Sequence, residues 1–254
     1  MANEFSGKVA FVTGASRGIG AATSVALARA GVRHVLMHYN SYKEGADETL
    51  QKVREAGADG ELLCADLANI SGIHGLVQEL GSRTLEIDFL VNNAGALIRR
   101  ANLVEFPEDL FDEVMNLNVK SVWQITQAVV PGMCRRRSGV IVNISSIAGR
   151  NGGSLGATVY ASAKAAVSAM TRGMARELAP QGIRVNALSP GAVDNHFHQV
   201  FSTRQMLASA VASTPAGRLG NNEEMADVIV FMCSDASRFL YGQTIELNGG
   251  MYMV

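Results

Sequence analysis

Lys8-Val-Ala-Phe-Val-Thr-Gly-Ala-Ser-Arg-Gly-Ile-Gly20 is the stretch that decides the fold. Its first half, through Thr13, is a short apolar run of the kind that forms a strand buried on both faces. Its second half sets Gly14, Gly18 and Gly20 where that strand hands over to a helix, predicted from Ile19 to a stop at Gly31. Glycines there let the backbone turn tightly and let an anion approach where a Cβ would intrude. The helix N-terminus adds free N–H groups and a partial positive charge. A dinucleotide pyrophosphate suits such a unit, although the spacing is Gly-x3-Gly-x-Gly; a glycine-rich turn without a ligand is the plainer alternative.

Outward from this unit the pattern repeats. Further strands are expected at His34–His38, Glu61–Ala65, Ile87–Asn92, Gly139–Ser145, Ile183–Leu188 and Thr244–Asn248. Helices are expected at Glu44–Ala56, Ile70–Leu80, Pro107–Asn116, Ser121–Arg135, Thr158–Leu178 and Glu223–Cys233. Val, Ile and Leu fill the strands without clean polar alternation, which implies burial on both faces. Strand–helix alternation implies right-handed crossovers. The expected class is α/β: a doubly wound, parallel seven-stranded sheet with helices on both faces. No linker, repeat or low-complexity stretch interrupts it, so residues 1–254 read as one domain.

The bulk numbers exclude several partners. The 254 residues are 48% hydrophobic, enough for a substantial core. A formal net charge of -1 gives no electrostatic reason to expect nucleic acid or a membrane surface. Arg135-Arg136-Arg137 reads as a solvated helix end. Cys64, Cys134 and Cys233 are odd in number, far apart and without metal-ligand spacing, so reduced thiols in a cytoplasmic chain are expected and no metal. No signal peptide or membrane-length apolar run is read.

Charge also bears on the nucleotide. An NAD site usually places a carboxylate after the second strand to hold the ribose 2'-hydroxyl. Here His38-Tyr39-Asn40-Ser41 carries none, and Arg17, with Lys43 in support, offers a cation. NADP(H) is expected, with NAD(H) the second choice. Asp66 closes the third strand, where it suits the adenine amino group or simply starts a helix. Asn92-Asn93-Ala94-Gly95 suits cofactor contact at the sheet's carboxyl edge or an ordinary turn. The expected contacts at this end are Gly14, Ser16, Arg17, Gly18, Ile19, Gly20, Tyr39, Asn40, Ser41, Asp66, Leu67, Asn93, Ala94 and Gly95.

Tyr160-Ala-Ser-Ala-Lys164 sets a phenol and an ammonium one turn apart on one helix face. A free tyrosine, with a pKa of about 10, is a poor base near neutrality, and a neighbouring cation is expected to lower it. With a dinucleotide cradle this pair implies hydride transfer between nicotinamide and a carbonyl or alcohol. Ser146, at the end of the fifth strand, is the expected holder of the substrate oxygen, with Ser145 its rival. Asn118 is read as anchoring a water that joins Lys164 to solvent, or as a helix cap.

These motifs resemble the short-chain dehydrogenase/reductase family over nearly the whole chain. Thr13-Gly-x3-Gly-x-Gly20 is similar to its cofactor motif and Asn92–Gly95 to its sheet motif. Asn118, Ser146, Tyr160 and Lys164 match its catalytic tetrad. Asn186 with Pro190-Gly191 matches its nicotinamide-side segment, and Gly217–Gly220 with Gly242–Gly250 its C-terminal signature. The resemblance implies a Rossmann fold, a nicotinamide ribose held by Lys164, cofactor contact by Tyr160, and nicotinamide-side contacts from Pro190, Gly191, Val193 and Asn195. It also implies a homotetramer built partly through Ser121–Arg135 and Thr158–Leu178. Ser146 lies one residue further from Tyr160 than is common, and Asn195 stands where the family usually has Thr.

A mobile substrate loop is implied at about 191–216. His196 and His198 read as loop residues and not metal ligands. Arg99, Arg100 and Arg150 either reach the pocket mouth, favouring an anionic substrate, or are solvated. Two substrates fit: a 3-oxoacyl thioester, which the glycine run resembles, and a keto sugar or uronate-derived sugar acid, which the loops resemble. A dinucleotide sensor without catalysis is the alternative from another class.

Overall fold

The computed structural model describes residues 4–83 and 85–253. The decisive stretch forms β1 (Val9–Val12), whose side chains are all buried. Alternation divides them between the faces of the sheet. Ala10 and Val12 join one core cluster, and Val9 and Phe11 the other. Six more strands follow: β2 (His34–Tyr39), β3 (Asp59–Cys64), β4 (Phe89–Asn92), β5 (Gly139–Ile144), β6 (Ile183–Pro190) and β7 (Thr244–Leu247). They form a seven-stranded sheet in the order β3-β2-β1-β4-β5-β6-β7. All pairings are parallel, with Val12 beside Met37 on one side and Val91 on the other. Strand order reverses between β1 and β4, and a crevice opens there at the carboxyl ends.

One face carries α1 (Gly18–Arg29), α2 (Lys43–Glu55) and α10 (Asn222–Cys233); Leu27, Val53, Ile229 and Met232 pack onto Val12, Val35 and Val142. The other face carries α3 (Ile70–Ser82), α5 (Ser121–Arg136) and α7 (Thr158–Leu178); Ile73, Leu76, Ile125 and Met174 pack onto Phe11, Leu90 and Ile141. A small third cluster joins α4 (Glu108–Met115) to α7 through Leu110, Val114 and Ala163, and Tyr160 packs against it. No helix among the described residues is long and apolar enough to cross a membrane.

The expected elements are present within one or two residues at most ends. Three helices were not expected: α6 (Ala148–Asn151), α8 (His196–Phe201) and α9 (Arg204–Ser213). Asn195 and Thr203 cap the last two, accepting from Phe197 N and Met206 N, so the segment expected as a mobile loop is largely helical. The Arg135–Arg137 run is also not simply solvated. Arg136 donates to Ile87 O at 2.8 Å and pairs with Glu86, and Arg137 donates to Pro180 O at 2.7 Å. Buried Arg184, unremarked in the sequence, spends its guanidinium on Met232, Cys233 and Ser234 carbonyls at the end of α10.

Inside the sheet, Asn92 Nδ2 donates to Thr126 Oγ1 at 3.1 Å and to Asn143 Oδ1 at 2.9 Å; Asn143 Nδ2 donates to Thr171 Oγ1 at 2.9 Å. This buried ladder ties β4 and β5 to α5 and α7, just beneath the crevice.

Candidate active site

A cavity of about 1150 Å³ occupies the carboxyl ends of the strands. The turn after β1 forms one wall. Gly14 has φ +67°, and a Cβ on it would sit 3.0 Å from Ala94 Cα and Asn93 Nδ2. Asn93 Nδ2 donates to the Thr13 and Gly14 carbonyls at 2.8 and 3.1 Å, while Thr13 Oγ1 accepts from Asn93 N and Ala94 N at 2.9 Å. A Cβ on Gly20 would fall on the Gly14 carbonyl, so that glycine serves the close packing of α1 under the turn. Arg17, the N-cap, is extended and makes no side-chain cap, which leaves first-turn N–H groups of α1 for a ligand. The cradle fits a dinucleotide pyrophosphate.

One fastening was missed in the sequence. Gly14 N donates to His38 Nδ1 at 3.1 Å, so the ring proton sits on Nε2, 3.0 Å from Ala65 O. Burial pushes His38 down to about 4, keeping it neutral and able to accept. The sequence placed His38 in a strand and gave no sign of its partner.

Most of the expected cofactor residues line the cavity: Gly14, Ser16, Arg17, Gly18, Ile19, Asn40, Asp66, Leu67, Asn93, Ala94, Gly95, Tyr160, Lys164, Pro190, Gly191, Val193 and Asn195. Gly20, Tyr39 and Ser41 do not. Gly20 lies behind the turn, Tyr39 points away from the buried His38 side of β2, and Ser41 is exposed on the way into α2. Lys43 does not line the cavity either, and it pairs with Asp47 at 2.6 Å on the exposed face of α2. Asp66 does not cap α3; Asn69 does, accepting from Ser71 N at 3.1 Å. Asp66 instead accepts from Ala68 N at 3.0 Å on the cavity wall.

The four catalytic candidates converge further along. Ser145 is excluded as the substrate's partner, since its hydroxyl is buried against Lys164 O at 2.8 Å and Ser168 Oγ at 2.9 Å. Ser146 faces the cavity beside Tyr160 and accepts from Ala148 N at 3.1 Å. Lys164, 3% exposed, donates to Ile144 O at 2.9 Å, and its Nζ lies 5.7 Å from the centre of the Tyr160 ring. Burial lowers this lysine to about 8. Burial also pushes the Tyr160 phenol up to about 12, with the Ser146 hydroxyl pulling the other way. The lowered phenol expected beside Lys164 is not found in the protein alone, where desolvation exceeds the effect of the Ser146 hydroxyl.

Asn118 sits in a single π-helical turn, Asn116–Lys120, between α4 and α5. Such turns break the helical ladder and re-aim a side chain. Its Nδ2 donates to Ala96 O and Val114 O, both at 2.9 Å, and its buried Oδ1 has no protein partner. It caps no helix and does not itself line the cavity. Gly95 makes room for the pair: a Cβ there would lie 2.7 Å from both Asn118 Oδ1 and Lys164 Nζ.

The far wall belongs to α8 and α9. Phe197 packs on Tyr160 at 5.7 Å between ring centres and on Phe201 at 5.0 Å. Of the three arginines, Arg100 alone lines the cavity. It donates to Phe201 O at 2.9 Å, Ser154 Oγ at 2.9 Å and Leu155 O at 2.7 Å. Arg150 is withdrawn by an ion pair with Glu246 at 2.6 Å. His196 and His198 line the wall, with His198 Nδ1 2.9 Å from Ser202 Oγ.

A family model described as enoyl-(acyl carrier protein) reductase matches residues 14–252. The 3-oxoacyl-[acyl-carrier-protein] reductase FabG of Staphylococcus aureus is 37% identical over 97% of this chain and 98% of its own. The enzyme of that name from Escherichia coli is 36% identical over 98% and 99%. Among solved structures, a gluconate 5-dehydrogenase from Burkholderia cenocepacia in complex with NADP and tartrate superposes with a TM-score of 0.87 at 32% identity, covering 97% of this chain and 95% of the other.

Proposed function

We propose, for a chain that belongs to the short-chain dehydrogenase/reductase family, that the substrate is a keto acid or hydroxy acid of the sugar-acid type. The chain is an oxidoreductase of CH–OH and C=O groups that uses NADP(H). The observation that carries the substrate is Arg100, a guanidinium on the cavity wall whose hydrogen-bond partners among the described residues are all neutral. A carboxylate that displaces the Leu155 carbonyl or the Ser154 hydroxyl gains a charge-assisted, bidentate partner. The tartrate carried by the Burkholderia structure is an anion of that class. A 3-oxoacyl thioester is the second reading, favoured by the sequence likeness to the FabG enzymes.

When bound, the cofactor supplies the hydride in reduction and accepts it in oxidation. The glycine turn and the start of α1 would hold its pyrophosphate, Arg17 its 2'-phosphate, and Lys164 the ribose nearest the reaction. Ser146 and Tyr160 hydrogen-bond the substrate oxygen. Tyr160 gives that oxygen its proton during reduction. Asn118 Oδ1 anchors the water through which Lys164 and Tyr160 are reprotonated. Phe197 and α8 exclude bulk water from this path.

The enzyme is further proposed to act in the cytoplasm as one domain assembled into a homotetramer, a reading in keeping with three free thiols and with half-exposed Trp123 on α5. The substrate test is NADPH oxidation with a 5-keto sugar acid, its methyl ester and a 3-oxoacyl thioester in parallel. Preference for the free acid that disappears in Arg100→Met upholds the proposal. Preference for the thioester, unchanged in Arg100→Met, overturns it.

A further inference from the structure

Arg17 is exposed, yet it is not loose. Its guanidinium carbon lies over the Tyr42 ring, 4.1 Å from its centre, within reach of a cation–π contact. Among the described residues it makes no side-chain hydrogen bond or ion pair, so its charge and its donors remain unspent. Tyr42 is in turn held from behind. It is the residue before α2, and a Cβ on Gly45, in the first turn of that helix, would fall on the Tyr42 ring and on the Ser16 carbonyl. The ring therefore occupies a slot that only glycine leaves open, wedged against the glycine turn. The other nearby cation, Lys43, pairs with Asp47 on the exposed face of α2 and does not line the cavity.

We propose that Tyr42 is a specificity-determining residue for NADP(H) over NAD(H), acting as a shelf that holds the Arg17 guanidinium ready for the 2'-phosphate. Tyr42 itself does not line the cavity and touches no nucleotide; it acts through Arg17. A free arginine side chain loses rotamer freedom when it closes on a phosphate, and stacking removes that loss beforehand. The planar guanidinium matters as well as the charge, because an ammonium cannot lie flat on the ring.

The test uses 2',5'-ADP and 5'-AMP, which differ by the one phosphate, in calorimetric titrations of the intact protein. In Tyr42→Leu, affinity for 2',5'-ADP falls about fivefold, while 5'-AMP binds within twofold of wild type. Tyr42→Phe keeps the wild-type ratio. Arg17→Lys, at an exposed position, loses affinity for 2',5'-ADP by about the same factor although its charge is kept. On an Arg17→Ala background, Tyr42→Leu has no further effect. Equal losses for both nucleotides in Tyr42→Leu, or a Tyr42→Leu loss that persists without Arg17, reduce Tyr42 to a structural residue and overturn the proposal. Wild-type binding by Arg17→Lys overturns it too.

Discussion

Replacing Gly95 by Ala places a single methyl group where Asn118 and Lys164 meet. The Gly95 backbone lies outside the left-handed region, so its conformation alone does not bar alanine. The new Cβ would sit 2.7 Å from both Asn118 Oδ1 and Lys164 Nζ, where ordinary contact begins at 3.4 Å, so each must retreat by about 0.7 Å. Asn118 is anchored by two hydrogen bonds and fully buried, whereas Lys164 hangs on one, to Ile144 O. The lysine therefore yields. A displacement approaching 1 Å at a catalytic group costs roughly 10²-fold, or about 3 kcal/mol of transition-state stabilisation. The assay is NADPH-dependent reduction, with NADPH binding by nucleotide fluorescence and Tm alongside. The expected result is kcat reduced by 10- to 100-fold, with Tm within a few degrees of wild type. A kcat within twofold of wild type would refute the claim that this notch sets the lysine's position.

The pH profile follows from the same lysine. Lys164 is an ammonium below about 8, so reductive kcat/KM should hold at lower pH and fall as pH rises through that value; Lys164→Arg should move the limb to higher pH. Lys164→Met should abolish turnover without lowering Tm at pH 7. Depression from 10.5 to about 8 means that the buried charge costs the folded state roughly 3 kcal/mol below pH 8, a cost that fades between 8 and 10.5. Any Tm advantage of the variant at pH 7 should accordingly shrink at pH 10. Asn143→Ala should lower stability by about 3 kcal/mol in urea denaturation, because it opens a cavity and removes the middle rung between Asn92 and Thr171.

The layers of the fold were legible because burial dictates them. Strand residues such as Val9–Val12 and 140–142 are apolar on both faces, and only a doubly covered parallel strand needs that. α7 was readable at both ends, from Thr158 to Leu178. The region of α8 and α9 was not, although Asn195 and Thr203 are conventional caps. Each helix is short, and the apolar faces of Phe197 and Phe201 are matched to the cavity and not to the sheet.

Site residues that act locally were legible: glycines that shape a turn, and Tyr160 and Lys164 one helical turn apart. What was hidden depends on partners distant in sequence. The choice of Ser146 over Ser145 rests on Ser168 and Lys164 occupying the latter's hydroxyl. His38 gains its role from Gly14 and Ala65. Arg100 and Arg150 look alike in sequence, yet Glu246 claims only the second. The Tyr160 phenol was expected low and lies high because of desolvation, a property of the whole packed site that a helical spacing does not report.

The most direct test of the account is the effect of Tyr160→Phe on the reduction of a 5-keto sugar acid by NADPH. This change keeps the ring that packs on Phe197 and removes only the hydroxyl. The account predicts unchanged NADPH binding with kcat reduced by about 10³-fold or more. Turnover near the wild-type rate, with NADPH still bound, would contradict it and move the proton donor elsewhere.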